Sequence, residues 1–253
     1  MNRLIPIKYN NPITYGNLDA GKDINSDFFT SQFPVSIKEY REITEGKSEE
    51  KDRKIKKKAT WLEAIKYCNL LNIKSGLPLS YDEITGRLID EQGEFIDPEL
   101  DVMGFRFRPY KVKGFRLPTF DEWEYAAKGW TPNKRCDCYY RILENLFRWL
   151  ASYHDVSSNG TSEIETMQIN TIGLYGMLGN DPEWHSDNDT LYDPEKKSDE
   201  IKNKMCYWEE YYRNYNNDPG YQLSKKLCDD TEMFGFRVAI NRKSITSTQF
   251  FSF

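Results

Sequence analysis

Three stretches of the chain combine a helix-capping signature with apolar positions at the spacing of one helix face. Each has a serine or threonine followed three residues later by a glutamate: Ser36 and Glu39, Thr60 and Glu63, and Thr119 and Glu122. In a capping box the hydroxyl accepts a hydrogen bond from the glutamate amide, and the carboxylate accepts one from the amide of the cap. The pattern therefore predicts helices that begin near Ile37, Trp61 and Phe120.

Two of these helices have an apolar stripe suited to packing against a core. The stripe of the second helix consists of Trp61, Ile65, Cys68 and Leu71, and that of the third consists of Phe120, Trp123 and Ala127. Within its stripe Cys68 is predicted to be a small buried apolar residue rather than a nucleophile. Gly129 stands where a left-handed residue would end the third helix.

Other apolar positions lie in short aromatic runs that favour strands. Asp27–Phe33 and Phe234–Ala239 are the clearest of these runs. Leu77–Leu79 and Gly104–Phe107 are shorter, and acidic turns between them indicate a hairpin before the third helix. Short mixed elements with long irregular connections predict an α+β domain with low regular secondary-structure content.

The composition restricts the class of protein. The 253-residue chain has a net charge of −5 and a pI near 5.3, which argue against a general nucleic-acid binder. Its mean hydropathy is −0.77, and no run approaches the ~18 apolar residues of a membrane helix. Met1–Asn10 lacks the apolar core of a secretory signal, and the odd, sparse set of five cysteines favours a reducing compartment. We therefore expect a soluble cytoplasmic protein.

A glycine-rich segment before Trp184 offers many oxygen atoms at close spacing. Gly173, Gly176 and Gly179 exclude a stable helix and indicate tight turns that bring backbone carbonyls together. Asn, Asp and Glu oxygens among such carbonyls are the ligands that a hard cation such as calcium takes. The segment is therefore a candidate calcium loop.

Five segments, in order along the chain, carry one family pattern. They are Phe28–Tyr40; Trp61, Ala64 and Tyr67–Asn69; Arg116–Thr119 with Glu122–Ala127; Asn170, Gly173–Tyr175, Met177, Gly179–Asn180 and Glu183–Trp184; and Gly235–Arg237. Together they resemble the formylglycine-generating enzyme (sulfatase-modifying factor) family. The resemblance implies a single domain of C-type-lectin-like fold over residues 28–240. A partly irregular extension, residues 1–27, precedes it, and a tail, residues 241–253, follows it.

The resemblance also implies a chemistry that this chain matches only in part. Enzymes of the family oxidise a sulfatase cysteine to formylglycine with a copper ion held by two cysteines, and soft thiolates suit Cu(I). When Cys206 is matched to the first cysteine, Tyr211 occupies the position of the second, and a phenol is a poor Cu(I) ligand. Cys228 does not fall on the motif. Copper is therefore not expected, and Cys206 is the candidate catalytic residue of an alternative oxidase that uses Cys228 or another donor.

The family's calcium loop is altered as well. A side-chain oxygen usually follows the Gly-Leu-Tyr triplet, and in this chain that position is Gly176. The Gly179 and Asp181 carbonyls and the Glu183 carboxylate remain as candidate ligands. The sequence therefore leaves two alternatives, a loop that binds a structural calcium ion and a loop that does not.

The segment before the last strand has the composition of a binding surface. Its candidate ligand-binding residues are Tyr207, Trp208, Tyr211, Tyr212, Arg213, Tyr215, Asn216 and Tyr221. Tyrosine and tryptophan provide rigid contact area, and asparagine provides adaptable hydrogen bonds. The arrangement resembles the variable proteins of diversity-generating retroelements, so we expect a protein or peptide ligand. The alternative is that these aromatic residues only pack the last sheet.

Overall fold

The computed structural model describes residues 2–9, 13–15, 18–20, 26–47, 49, 58–96, 99–101, 104–106, 109–127, 169–170, 172–177, 183–186, 203–209, 222–228 and 233–244. The helices in these ranges are α1 (Ile37–Thr44), α2 (Trp61–Ser75) and α3 (Phe120–Ala127). Capping boxes are present at the start of α1 and α2. At α3 the Thr119 amide donates to Glu122 at 2.9 Å, and the Glu122 amide donates to the Thr119 hydroxyl at 3.1 Å. The three predicted helix starts are confirmed, whereas the predicted end at Gly129 lies outside the described residues.

The strands in these ranges form small antiparallel sheets. They are β1 (Leu4–Ile7), β2 (Ile13–Tyr15), β3 (Leu18–Ala20), β4 (Phe28–Ser31), β5 (Glu99–Asp101), β6 (Gly104–Arg106), β7 (Glu183–Trp184), β8 (Asn203–Glu209), β9 (Gln222–Cys228) and β10 (Ala239–Asn241). In one sheet β4 lies between β1 and β10, and in another β8 lies between β7 and β9. The pairs β2–β3 and β5–β6 form hairpins. Short helices with small antiparallel sheets are consistent with the predicted α+β class.

Two predicted strands are corrected. The strand expected over Phe234–Ala239 begins only at Ala239, because the residues before it bond to several neighbours in turn. Phe234 bridges Ala59, and Gly235 bridges Glu183. The run Leu77–Leu79 is not a strand, because the Leu77 amide donates to the Asn72 carbonyl and closes the end of α2. The strands expected at Asp27–Phe33 and Gly104–Phe107 are present as β4 and β6.

Buried apolar side chains form two clusters. The larger contains the α2 stripe (Trp61, Ile65, Cys68 and Leu71) together with Leu117, Trp184 and Phe236. The smaller contains Ile5, Phe28, Trp123, Ala126, Leu174 and Met177. The two clusters lie on either side of the β1–β4–β10 sheet: Phe28 and Phe29 are adjacent in β4, alternate between its faces and belong to different clusters.

Cys68 is fully buried in the larger cluster, as predicted, and burial raises the pKa of its thiol. The pKa of the thiol in the folded state lies above its value of about 8.5 in the unfolded chain. The contribution of this thiol to the free energy of unfolding is therefore fully present below that pH and decreases as the pH rises above it. We expect a Cys68→Ala variant to lose less stability than the wild type between about pH 8 and about pH 10. Urea unfolding at several pH values measures the two slopes, and equal slopes would contradict the prediction.

Candidate functional site

Strand β7 has two residues, Glu183 and Trp184, and both are fully buried. The Trp184 indole Nε1 donates to the Ala59 carbonyl at 2.7 Å, and the Trp184 amide donates to the Gly235 carbonyl at 2.9 Å. The ring of Phe234 packs edge-on against Trp184 with centroids 4.8 Å apart. These contacts attach β7 to the segment before α2 and to the C-terminal part of the domain.

The Glu183 carboxylate forms a buried ion pair with Arg237. Oε2 accepts from Arg237 Nε at 2.7 Å and from Trp123 Nε1 at 2.8 Å, and Oε1 accepts from Arg237 Nη2 at 2.9 Å. Charge-assisted bidentate bonds of this kind are stronger than neutral ones and fix the planes of both groups. The burial of both charges means that each needs the other as its partner.

Arg237 also bonds to two backbone carbonyls. Nη1 donates to Ser31 at 3.2 Å, and Nη2 donates to Tyr175 at 3.0 Å. The ring of Tyr175 stacks on Phe33 with centroids 4.4 Å apart. One guanidinium therefore connects the end of β4, the glycine-rich segment and β7.

The glycine-rich segment has the predicted tight turns. Gly173 and Gly176 have φ angles of 92° and 68°, in the left-handed region that favours glycine. Asn170 closes the turn, because its Oδ1 accepts from the Leu174 amide at 2.9 Å. Its Nδ2 donates to the Ala126 carbonyl at 2.8 Å. The segment is thereby held against the last turn of α3.

A second buried ion pair lies at the start of α3. Arg116 donates to both Glu122 oxygens, at 2.6 and 2.7 Å, and to the Asn241 Oδ1 at 3.0 Å. The amide of Asn241 in turn donates to the Pro109 and Val112 carbonyls at 2.7 Å each. Arg116 is therefore fully buried, with its charge balanced by Glu122.

The strands β8 and β9 form a seven-residue antiparallel ladder beside β7. Glu183 is opposite Cys206, and Trp184 is opposite Met205. Among the described residues, these are the two pairs that join β7 to β8. The last pair of the ladder joins Glu209 to Gln222, so residues 210–221 connect the two strands at that end.

The register of β8 and β9 gives the positions of Cys206 and Cys228, the cysteines of the oxidase alternative. Cys206 is opposite Lys225, and Cys228 is opposite Asn203. The two cysteines are therefore three positions apart along the ladder, or ~10 Å at the usual rise of a strand. An odd offset also puts the two positions on opposite faces of the sheet.

The structure describes some of the other predicted site residues. Tyr207 and Trp208 lie in β8, opposite Ser224 and Leu223. Glu183 lies in β7, as described above. The remaining predicted residues lie outside the described residues: Tyr211, Tyr212, Arg213, Tyr215, Asn216, Tyr221, Gly179 and Asp181.

Of the three predicted calcium ligands, the structure describes Glu183. Within the part of the chain that the structure describes, no group of three or more His, Cys, Asp or Glu side chains could hold a metal ion. The charge of Glu183 is already balanced by Arg237 without any cation. Calcium at Gly179, Asp181 and Glu183 stays a prediction. Among the helices described, none has the length and apolar character needed to cross a bilayer.

A comparison with protein-family models identifies the family of the chain. The model of the sulfatase-modifying factor enzyme 1-like domain matches residues 20–242. The chain belongs to this family. The match confirms the resemblance drawn from the capped-helix and glycine-loop signatures.

Two known proteins are similar to this sulfatase-modifying-factor-family chain. The chaperone protein LppX of Paenibacillus barcinonensis is 28% identical over 185 residues, which are 63% of this chain and 61% of LppX. The chain thus matches about three fifths of that relative's length. The crystal structure of CarF has a TM-score of 0.58 at 18% identity and covers 95% of this chain and 98% of its own. At that identity CarF supports the fold alone.

Sequence reasoning missed the pairing of Glu183 with Arg237 and with Trp123. A signal was present, because each charged residue stands among apolar neighbours: Glu183 precedes Trp184, and Arg237 lies between Phe236 and Val238. Opposite charges in two otherwise buried segments indicate a pair, since an unpaired buried charge is costly.

Proposed function

We propose that this domain of the sulfatase-modifying-factor family binds a polypeptide through the segment between β8 and β9 and does not carry out copper oxidation. The main support is the hairpin geometry. Residues 210–221 connect the paired ends Glu209 and Gln222. Their sequence includes Tyr211, Tyr212 and Tyr215, which offer large contact area at low entropic cost.

The scaffold around β7 suits such a role. A ligand-binding segment gains affinity when its supports are fixed before binding. Here β8 pairs with β7, whose Glu183 and Trp184 are held by buried bonds to Arg237 and Ala59. The name of the relative LppX, a chaperone protein, is a second support, because chaperones bind polypeptides.

The donor set supports the absence of copper oxidation. A Cu(I) site built on this chain needs two close thiolates. Cys206 and Cys228 occupy positions three residues apart in the register and on opposite faces of the ladder. The position matched to the second family cysteine is Tyr211. These residues do not fit a two-thiolate copper site, so we assign no oxidation step to them. The cysteine content also leads us to place the protein in the cytoplasm as part of this proposal.

A peptide-display selection tests the binding role. We expect the immobilised full chain to enrich a family of related peptides, and a Tyr211→Ser/Tyr212→Ser/Tyr215→Ser variant to bind them at least about tenfold more weakly. Ile84→Ser is the matched control, because Ile84 is 93% exposed and lies in a different part of the chain. Absence of any enriched peptide, or equal binding by the triple variant, would contradict the proposal.

A separate assay tests the oxidase alternative. Copper-loaded protein is incubated with a sulfatase peptide that contains a cysteine, and mass spectrometry measures the aldehyde product. We expect no conversion above that of Cys206→Ser. Conversion that depends on Cys206 would contradict the proposal and restore the oxidase alternative, with Cys228 or another donor as the second ligand.

A further inference from the structure

Strand β1 is the outer strand of the β1–β4–β10 sheet. On the opposite side the sheet continues from β10 to Arg116, whose amide donates to the Ala239 carbonyl at 2.9 Å and whose carbonyl accepts from the Ala239 amide at 2.7 Å. Among the described strands, β1 pairs with β4 alone. The outward backbone groups of an edge strand are a template for the addition of another strand, so the chemistry of this edge decides whether β1 can pair with a second chain.

The direction of the backbone groups in β1 follows from its bonds to β4. The Gln32 amide donates to the Arg3 carbonyl at 2.7 Å, and this pair continues the antiparallel register of the two strands. Backbone groups in an antiparallel pair point alternately toward the partner strand and away from it, so Arg3, Ile5 and Ile7 face β4. The residues with backbone groups at the outer edge are Leu4, Pro6 and Lys8.

Buried side chains fix this register. Ile5 and Ile7 belong to the smaller apolar cluster, and a shift by one residue would turn both to the other face of the sheet. The side chain of Asn2 holds the start of the strand, because its Oδ1 accepts from the Phe33 amide at 2.9 Å and its Nδ2 donates to the Phe33 carbonyl at 2.8 Å. Pro6 is therefore held with its backbone nitrogen directed to the outer edge.

Three features of the outer edge oppose the addition of a strand. Proline has no N–H group, so the exposed Pro6 offers an acceptor but no donor at the centre of the edge. The Tyr125 hydroxyl donates to the Lys8 carbonyl at 3.3 Å, which places a side chain of α3 at the end of the edge. The side chains of Arg3 and Lys8 are charged and exposed, as is common on edges that do not associate.

We propose that Pro6 closes the outer edge of β1 to strand addition, with the Tyr125 hydroxyl as a second barrier. The partner that this edge excludes is a second copy of this chain. An antiparallel pair of β1 strands centred on Pro6 would place proline opposite proline and would lack both central hydrogen bonds. This property of β1 is independent of the proposed binding role, because it concerns a different sheet.

Amide hydrogen exchange of the wild type, measured by NMR, tests the direction of the backbone groups. We expect the Leu4 and Lys8 amides to exchange at least about tenfold faster than the Ile5 and Ile7 amides, because the latter two bond to β4. Equal protection of all four amides would overturn the inference, because another part of the chain, rather than Pro6, would then close the edge.

The variant Pro6→Thr tests the barrier itself, because it restores the missing N–H with a residue that favours strands and suits an exposed position. We expect its association constant for dimers to exceed that of the wild type at least about tenfold in sedimentation velocity over a concentration series. Pro6→Thr/Tyr125→Phe should associate more strongly still. In the dimer, exchange of the Leu4 and Lys8 amides should slow as the protein concentration rises.

Pro6→Thr/Lys8→Pro is the matched control, because it keeps the new residue and removes a donor from the same edge. Its association constant should return to that of the wild type. Circular dichroism verifies that each variant is folded. A folded Pro6→Thr variant that associates no more than the wild type would overturn the inference, and so would a dimer in which the Leu4 and Lys8 amides exchange as fast as in the monomer.

Discussion

Replacement of Arg237 by methionine is expected to lower the free energy of unfolding by about 3–5 kcal/mol. The substitution leaves the Glu183 carboxylate buried, with the Trp123 indole but without its opposite charge. It also removes donors from the Ser31 and Tyr175 carbonyls. Urea unfolding followed by circular dichroism measures the loss.

Arg242→Met is the matched control, since Arg242 pairs with Asp27 on the surface and is 55% exposed. An exposed pair contributes only about 0–1 kcal/mol, so this variant should unfold nearly as the wild type does. Arg237→Met/Glu183→Gln should be more stable than Arg237→Met, because the double variant has no uncompensated buried charge. Similar decreases in the free energy of unfolding for Arg237→Met and Arg242→Met would contradict the prediction, because the buried pair would then contribute no more than the exposed one.

The Glu183–Arg237 pair lies inside the domain, so the family signatures that contain these residues do not by themselves specify the function. Glu183, Arg237 and Trp123 belong to the family signatures, and here they bond to one another inside the domain. They hold β7, and β7 pairs with β8 at Met205 and Cys206. The signatures thus identify the scaffold, whereas ligand choice depends on the hairpin that the scaffold supports.

The parts of the fold that sequence predicted correctly are local. A capping box links residues three apart, so Thr60 and Glu63 or Thr119 and Glu122 predict a helix start without knowledge of the rest of the chain. The apolar stripe of α2 is equally local, and it placed Cys68 in the core. The turns at Gly173 and Gly176 followed from the conformational freedom of glycine.

The parts that sequence missed are set by partners far along the chain. Glu183 and Arg237 are 54 residues apart, and no local pattern specifies that contact. The C-terminal strand was placed too early because Phe234 and Gly235 bond to Ala59 and Glu183 rather than along one strand.

Replacement of Glu122 by alanine is the second change with a large expected effect, because this residue has two roles. Its carboxylate accepts from the Thr119 amide in the capping box and balances the buried charge of Arg116. Loss of the cap costs about 1 kcal/mol, and an unpaired buried arginine costs about 3–5 kcal/mol. Glu122→Ala should therefore be destabilised at least as strongly as Arg237→Met in the same urea assay.

Two further variants separate the roles of Glu122. Glu122→Gln keeps an oxygen for the Thr119 amide but removes the charge, so it should retain the start of α3 and still lose most of the stability that Glu122→Ala loses. Arg116→Met/Glu122→Gln should recover part of that loss, since a double-mutant cycle shows coupling between residues in contact. Glu63→Ala is the matched control, because Glu63 completes the capping box of Thr60 in α2 but is only half-buried. It should cost about 1 kcal/mol, and an equal loss for Glu63→Ala and Glu122→Ala would show that the cap, rather than the Arg116 pair, accounts for the effect.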